Sequence, residues 1–194
     1  MKKAILIVLP ICILLAITVK VLITGERQQE EFDFHKKIPK TIMLSSEAFA
    51  NNGMIPVAFT GNGENISPEL HWSNLPAGTE SLVLLMTDYD APAPFLKLTT
   101  VDHWVVYNIP PDMNALAAKA DSIGFAKKSI CLGINYTKGI EYAGPKPPIG
   151  VHRYFFRIYA LSVPSLNLSR PKKQEIMDAM KEDVLGYGEL IGNY

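Results

Sequence analysis

The sequence has little cysteine: only Cys12 and Cys131 occur among its 194 residues, and Cys12 sits inside an apolar N-terminal run. A single cysteine in the body excludes an intradomain disulfide, so the hydrophobic core has to carry the stability. A catalytic thiol is the sharper alternative for Cys131, but its place in the apolar stretch 130–134 favours a buried structural residue. The chain also lacks an excess of either charge, with 19 Lys and Arg against 19 Asp and Glu. Three of the basic residues and none of the acidic ones fall in residues 1–25, which leaves the remainder at −3. A mildly acidic body argues against a nucleic-acid binder built on phosphate neutralisation. There is no G-x-S-x-G elbow, no His-x-His pair and no His-x-x-x-His pair. Their absence removes the usual sequence signs of a serine hydrolase or a zinc centre.

What is present starts with an address. Lys2 and Lys3 precede an uncharged run from Ala4 to Val19, and Lys20 interrupts it before a last apolar stretch to residue 24. A short basic start and an apolar centre are the anatomy of a secretory signal. If uncleaved, residues 4–24 are long enough to anchor the chain with Lys20 at the interface. Either way the positive-inside bias places the body outside the cytoplasm, periplasmic or secreted, or held at the inner membrane by residues 4–24. Residues 26–40 are polar and charged and are expected to be a spacer. Residues 41–194 suit one domain with a single core.

In that body, turn-rich clusters at 51–53, 61–65, 76–78, 90–94, 110–114 and 144–150 separate short runs rich in β-branched and aromatic residues. The runs 55–60, 70–72, 82–87, 103–109 and 153–161 are predicted strands, giving an all-β dominated sandwich. Helical pattern is expected twice. One piece covers 114–120; the other covers 171–183, with Ser169 as N-cap and Ile176, Met180 and Val184 along one stripe. Lys172, Lys173, Lys181 and Glu182 are expected to form a solvated face of that helix, and His71 to be structural or exposed.

Three polar residues continue apolar strand faces. In 153–161 Tyr154, Phe156, Ile158 and Ala160 point one way and Arg153 and Arg157 the other, and His152 falls on the apolar parity. His103 shares parity with Val105, Tyr107 and Ile109. Asp88 shares parity with Leu82, Leu84 and Met86. A buried charge has to be paired or neutralised, so these three groups make sense together. Two His and one Asp are also the donor set of a metal triad or an acid–base pair.

The surrounding motifs resemble those of the phosphatidylethanolamine-binding protein family. Asp88–Pro92 is similar to its D-P-D-A-P motif, and HWVVYNIP at 103–110 and G-P-x-P-P-x-G-x-H-R-Y at 144–154 are similar to its other hallmarks. NISPELHW at 65–72 and GELIGNY at 188–194 resemble two further stretches. The likeness spans roughly residues 49–194 and is nearest the bacterial Raf-kinase-inhibitor-like branch, the YbhB/YbcL type. It implies a sandwich of two antiparallel sheets with a C-terminal helix, here preceded by an N-terminal hydrophobic signal or anchor helix. It also implies a small pocket at one end formed by Asp88, His103 and His152, with Tyr154 and Pro92 lining it. Phosphate, carboxylate or a phospholipid head group would be the ligand there, with no cofactor.

Two positions depart from the pattern. Tyr89 replaces a Pro, which would loosen the turn or add a phenol at the rim, and Lys146 stands where many bacterial members have Cys. A hydrolase or metal-assisted enzyme using the same three residues is one alternative. A protein-interaction module with an extracytoplasmic partner, regulatory or inhibitory in role, is another.

Overall fold

The structure is a computed structural model describing residues 2–194, with side chains described from Thr18 onward apart from Lys20. Helix α1 spans Lys2–Lys37. The strands β1 (Met43–Ser45), β2 (Gly53–Met54), β3 (Leu70–Ser73), β4 (Ser81–Asp88), β5 (Val101–Ile109) and β6 (Ala115–Leu116) follow. Helix α2 (Ser122–Ala126), β7 (Cys131–Leu132), β8 (Arg153–Leu161), helix α3 (Lys173–Met180) and β9 (Val184–Asn193) complete the chain. The strands make two sheets. One has three strands in the order β1-β3-β6, and the other has six in the order β2-β9-β8-β4-β5-β7. All pairings between strands are antiparallel except β2 with β9.

The six-stranded sheet is covered on both faces, and this explains why every residue of β4 is buried and why its centre, residues 82–86, is apolar without alternation. Its inner face meets the small sheet through Leu82, Leu84, Met86, Phe156 and Ile158 against Leu44, Leu70 and Trp72. Its outer face carries Val83, Leu85, Tyr159 and Leu161, covered by Ile176, Met177 and Met180 of α3. Fully burying one such side chain stabilises by about 1.5–3 kcal/mol, so the two-sided sheet is the main source of cohesion. The alternation expected in 153–161 holds: Tyr154, Phe156, Ile158 and Ala160 lie in the inner core.

Several local expectations are corrected. Residues 55–60 hold a short 3₁₀ turn, Val57–Phe59, instead of a strand. Pro56 there supplies a fixed φ and no N–H for a ladder. The piece at 114–120 holds β6, and the helix comes later, where the Asp121 side chain accepts from the Gly124 N–H. Helix α3 is shorter than 171–183. Its N-cap is Lys172 and not Ser169, and the Lys172 N–H donates to Glu175 at 2.8 Å. Val184 already belongs to β9. Cys131 is half-buried in β7, within 3.7 Å of the Asn108 amide.

The segment read as a spacer is ordered: α1 continues to Lys37 and rests on the outer face, where His35 sits 2.7 Å from the Tyr159 hydroxyl. The signal or anchor expected over 1–25 falls mainly on residues 1–17 and 20, outside the described side chains. Among the described residues no helix is long and apolar enough to cross a membrane.

Candidate functional site

Asp88 ends β4, His103 lies early in β5 and His152 immediately precedes β8. Register brings these ends together, since Asp88 pairs with Val101 on one side and Tyr154 on the other. The Asp88 carboxylate accepts from His152 Nδ1 at 2.8 Å and from the Asp90 N–H at 2.7 Å. His152 Nε2 faces the Ile149 carbonyl at 3.1 Å. Both nitrogens of that ring therefore meet acceptors, and both contacts are satisfied when each nitrogen carries a hydrogen.

His103 Nδ1 donates to the Ala143 carbonyl at 2.5 Å. Its ring meets Tyr154 edge-on at 5.1 Å, and the Tyr154 ring stacks on His152 at 6.5 Å. Tyr154 thus stands between the two imidazoles. All of these groups are sequestered: His152 is 0%, Tyr154 1%, and Asp88 and His103 each 3% exposed. Burial lowers the His103 pKa from its ordinary value, partly offset by the Ala143 carbonyl and by Asp88. Burial likewise raises the Tyr154 phenol, which stays protonated.

The supporting shell is built from the same motifs. Asp90 accepts from Arg153 through the backbone N–H at 3.0 Å, Nε at 2.8 Å and a terminal guanidinium nitrogen at 2.7 Å. This fork ties the turn after β4 to the residue beside His152. Pro92 lies in that turn, after a cis Ala91–Pro92 peptide, and is half-buried. Asn65 Oδ1 accepts from the Gly144 N–H at 2.7 Å, and the Tyr142 hydroxyl donates to the Phe59 carbonyl at 2.7 Å. Asn65 and the Phe59 carbonyl therefore hold the start of the Pro/Gly loop that delivers His152. Gly150, at φ +80°, makes the left-handed step just before it. The backbones of His152 and Tyr194 pair reciprocally, which places the chain's end next to the site.

Asp90 and Arg153 were not singled out as site residues from the sequence, although the D-x-D and H-R pairs carried the signal. Tyr89 is not at the rim. It points to the outer face, where its hydroxyl lies 2.7 Å from Arg157, 3.3 Å from Lys173 and in hydrogen-bond contact with Glu31. Lys173 is not solvated either; it is 4% exposed and pairs with Glu31 at 2.6 Å. His71 is exposed. Among the described residues no group of three or more His, Cys, Asp or Glu side chains is disposed to hold a metal ion.

Comparison with known proteins agrees with this architecture. The family model described as phosphatidylethanolamine-binding protein matches residues 45–194. A UPF0098 protein of Methanothermobacter thermautotrophicus is 42% identical over 151 residues, covering 78% of this chain and 97% of that one. One from Aquifex aeolicus is 38% identical over 152 residues, covering 77% and 85%. Among solved structures, a phosphatidylethanolamine-binding protein homolog from Chlamydia trachomatis superposes with a TM-score of 0.71 at 33% identity, covering 80% of this chain and 97% of its own. Escherichia coli YbcL gives a TM-score of 0.71 at 23% identity, covering 79% and 98%, a likeness of fold. The chain belongs to the phosphatidylethanolamine-binding protein family, and the bacterial YbhB/YbcL branch is the one it fits.

Proposed function

We propose that this protein binds a small anion, a phosphate, a carboxylate or a phospholipid head group, at Asp88, His103 and His152. The observation that carries the reading is the buried Asp88–His152 hydrogen bond at 2.8 Å, with a second imidazole across Tyr154. Asp88 alone would repel an anion. Bonded to His152 Nδ1, it orients that ring, whose Nε2 also faces an acceptor and so serves as the donor.

The Ile149 carbonyl occupies that donor at 3.1 Å. An incoming oxyanion takes its place, and the Ile149–Val151 segment gives way about Gly150. His103 donates its Nδ1–H to Ala143, so its Nε2 can donate to an anion only after taking up a proton. Because burial lowers the His103 pKa, that proton is taken up below the usual histidine range, and binding strengthens as pH falls. The role is binding, with no catalytic step assigned. The apolar address at 1–25 supports a body that works outside the cytoplasm, where the bound anion would gate contact with an extracytoplasmic protein partner.

Titration with inorganic phosphate by calorimetry between pH 5 and 8 tests the reading. Affinity is expected to fall with rising pH and to drop at least tenfold in His152→Ala, as for loss of a charge-assisted hydrogen bond. Equal affinity across the range would sink it.

A further inference from the structure

A cavity lies on the opposite side of β5, where α1, the start of β5 and the first turn of α3 meet. Its volume is about 530 Å³, within the range of small-molecule sites. Arg27 and Gln28 come from α1, Thr100 from the approach to β5, Tyr136 and Lys138 from the loop after β7, and Lys172 from the cap of α3. The matched family region begins at residue 45, so the α1 wall is an addition outside it.

Charge in this cavity is unbalanced. Arg27, Lys138 and Lys172 are exposed, and among the described residues none of them has an ion-pair partner. The carboxylates that face them are already engaged. Glu31 binds Lys173 at 2.6 Å, Arg157 at 3.2 Å and the Tyr89 hydroxyl. Asp102 lies 3.6 Å from Lys173, and partial burial raises its pKa against the pull of that cation. The N-terminal end of α3 adds its positive dipole end to the same space. Tyr136 and Ile134 supply an apolar wall.

We propose that this cavity is a second ligand site that takes a small soluble organic phosphate, its phosphate on Arg27, Lys138 and Lys172 and its organic part against Tyr136. The site is composite, since it needs α1 docked on the domain. It is distinct from the Asp88–His152 site but adjoins it, since the Tyr136 ring lies 5.0 Å from that of His103, and the His152→Ala arm below separates failure of one site from failure of the other.

Inorganic pyrophosphate is the probe, titrated into the full chain at low salt and followed by calorimetry and by backbone amide NMR. Binding is expected to perturb the amides of residues 136–138 and 172–174. It should persist in His152→Ala and weaken at least tenfold in the triple variant Arg27→Gln/Lys138→Gln/Lys172→Gln, whose positions are exposed and leave the core untouched. A parallel arm with phosphatidylglycerol vesicles separates a free phosphate from one carried on a lipid. Unchanged pyrophosphate affinity in the triple variant, loss of binding in His152→Ala alone, or a response to vesicles without one to pyrophosphate would overturn the proposal.

Discussion

The side chains with most at stake are the buried charges under α1. Burial pushes the Glu31 carboxyl up, yet Lys173 and Arg157 beside it hold it below the ordinary carboxylate range. Lys173→Met takes away its nearest cation and is expected to cost about 3 kcal/mol in urea denaturation, the scale of breaking a buried pair. The double variant Lys173→Met/Glu31→Leu should cost less than the two single changes added together, because neither charge is then stranded. His35 acts through pH. Burial, helped by Arg157, lowers its pKa from 6.5 to about 4. The unfolded chain therefore binds more protons between about pH 4 and 6.5, and stability is lost as pH falls through that window, by about 3 kcal/mol in all. His35→Phe should remove that part of the slope when midpoints are compared at pH 4.5 and 7. At this scale the sequence was readable where parity speaks: Asp88, His103 and His152 continue apolar faces and are buried as that pattern implied. Lys173 and His35 were not readable, because the groups that bury them come from the other end of the chain.

Among the elements, β4, β5 and β8 could be read directly from runs of β-branched and aromatic residues. β9 could not, because Gly186, Gly188 and Gly192 interrupt its pattern and glycine ordinarily weakens a strand. Packing explains them. The segment leaving α1 crosses β9 closely, with the Tyr187 N–H donating to the Pro39 carbonyl and the Ile42 N–H to the Tyr187 carbonyl, both in the range 2.9–3.1 Å. A Cβ at Gly188 would stand 2.5 Å from the Ile42 carbonyl oxygen, which is backbone and has no freedom to rotate away. Gly188→Ala should therefore destabilise by about 1–3 kcal/mol, the usual cost of overpacking, measurable as a lowered denaturation midpoint with unchanged slope. The helical piece expected at 114–120 was misplaced for a related reason. Alanine-rich sequence favours helix locally, but β3 offers Ala115 and Leu116 a ladder, and tertiary pairing wins.

In the whole molecule, one sheet buried on both faces separates two sides. The inner end holds the Asp88–His152 pair beneath the Pro/Gly loop, and the outer face holds α1 on its ion cluster. The family motifs made the first side legible because they are the strand ends and loops that converge there. The second side was hidden, since polar residues 26–37 resemble a linker until the sheet provides Tyr159, Arg157 and Lys173 to receive them. The central claim concerns the first side: a buried imidazole held by Asp88 exchanges the Ile149 carbonyl for an oxyanion. Its most direct test is NMR of the histidine ring nitrogens in the full chain during titration with inorganic phosphate at pH 5.5 and pH 8. Saturable shifts of the His152 and His103 ring signals, tighter at pH 5.5, are the expected result. Ring signals that stay fixed as phosphate is added, or that shift with the same affinity at both pH values, would contradict it.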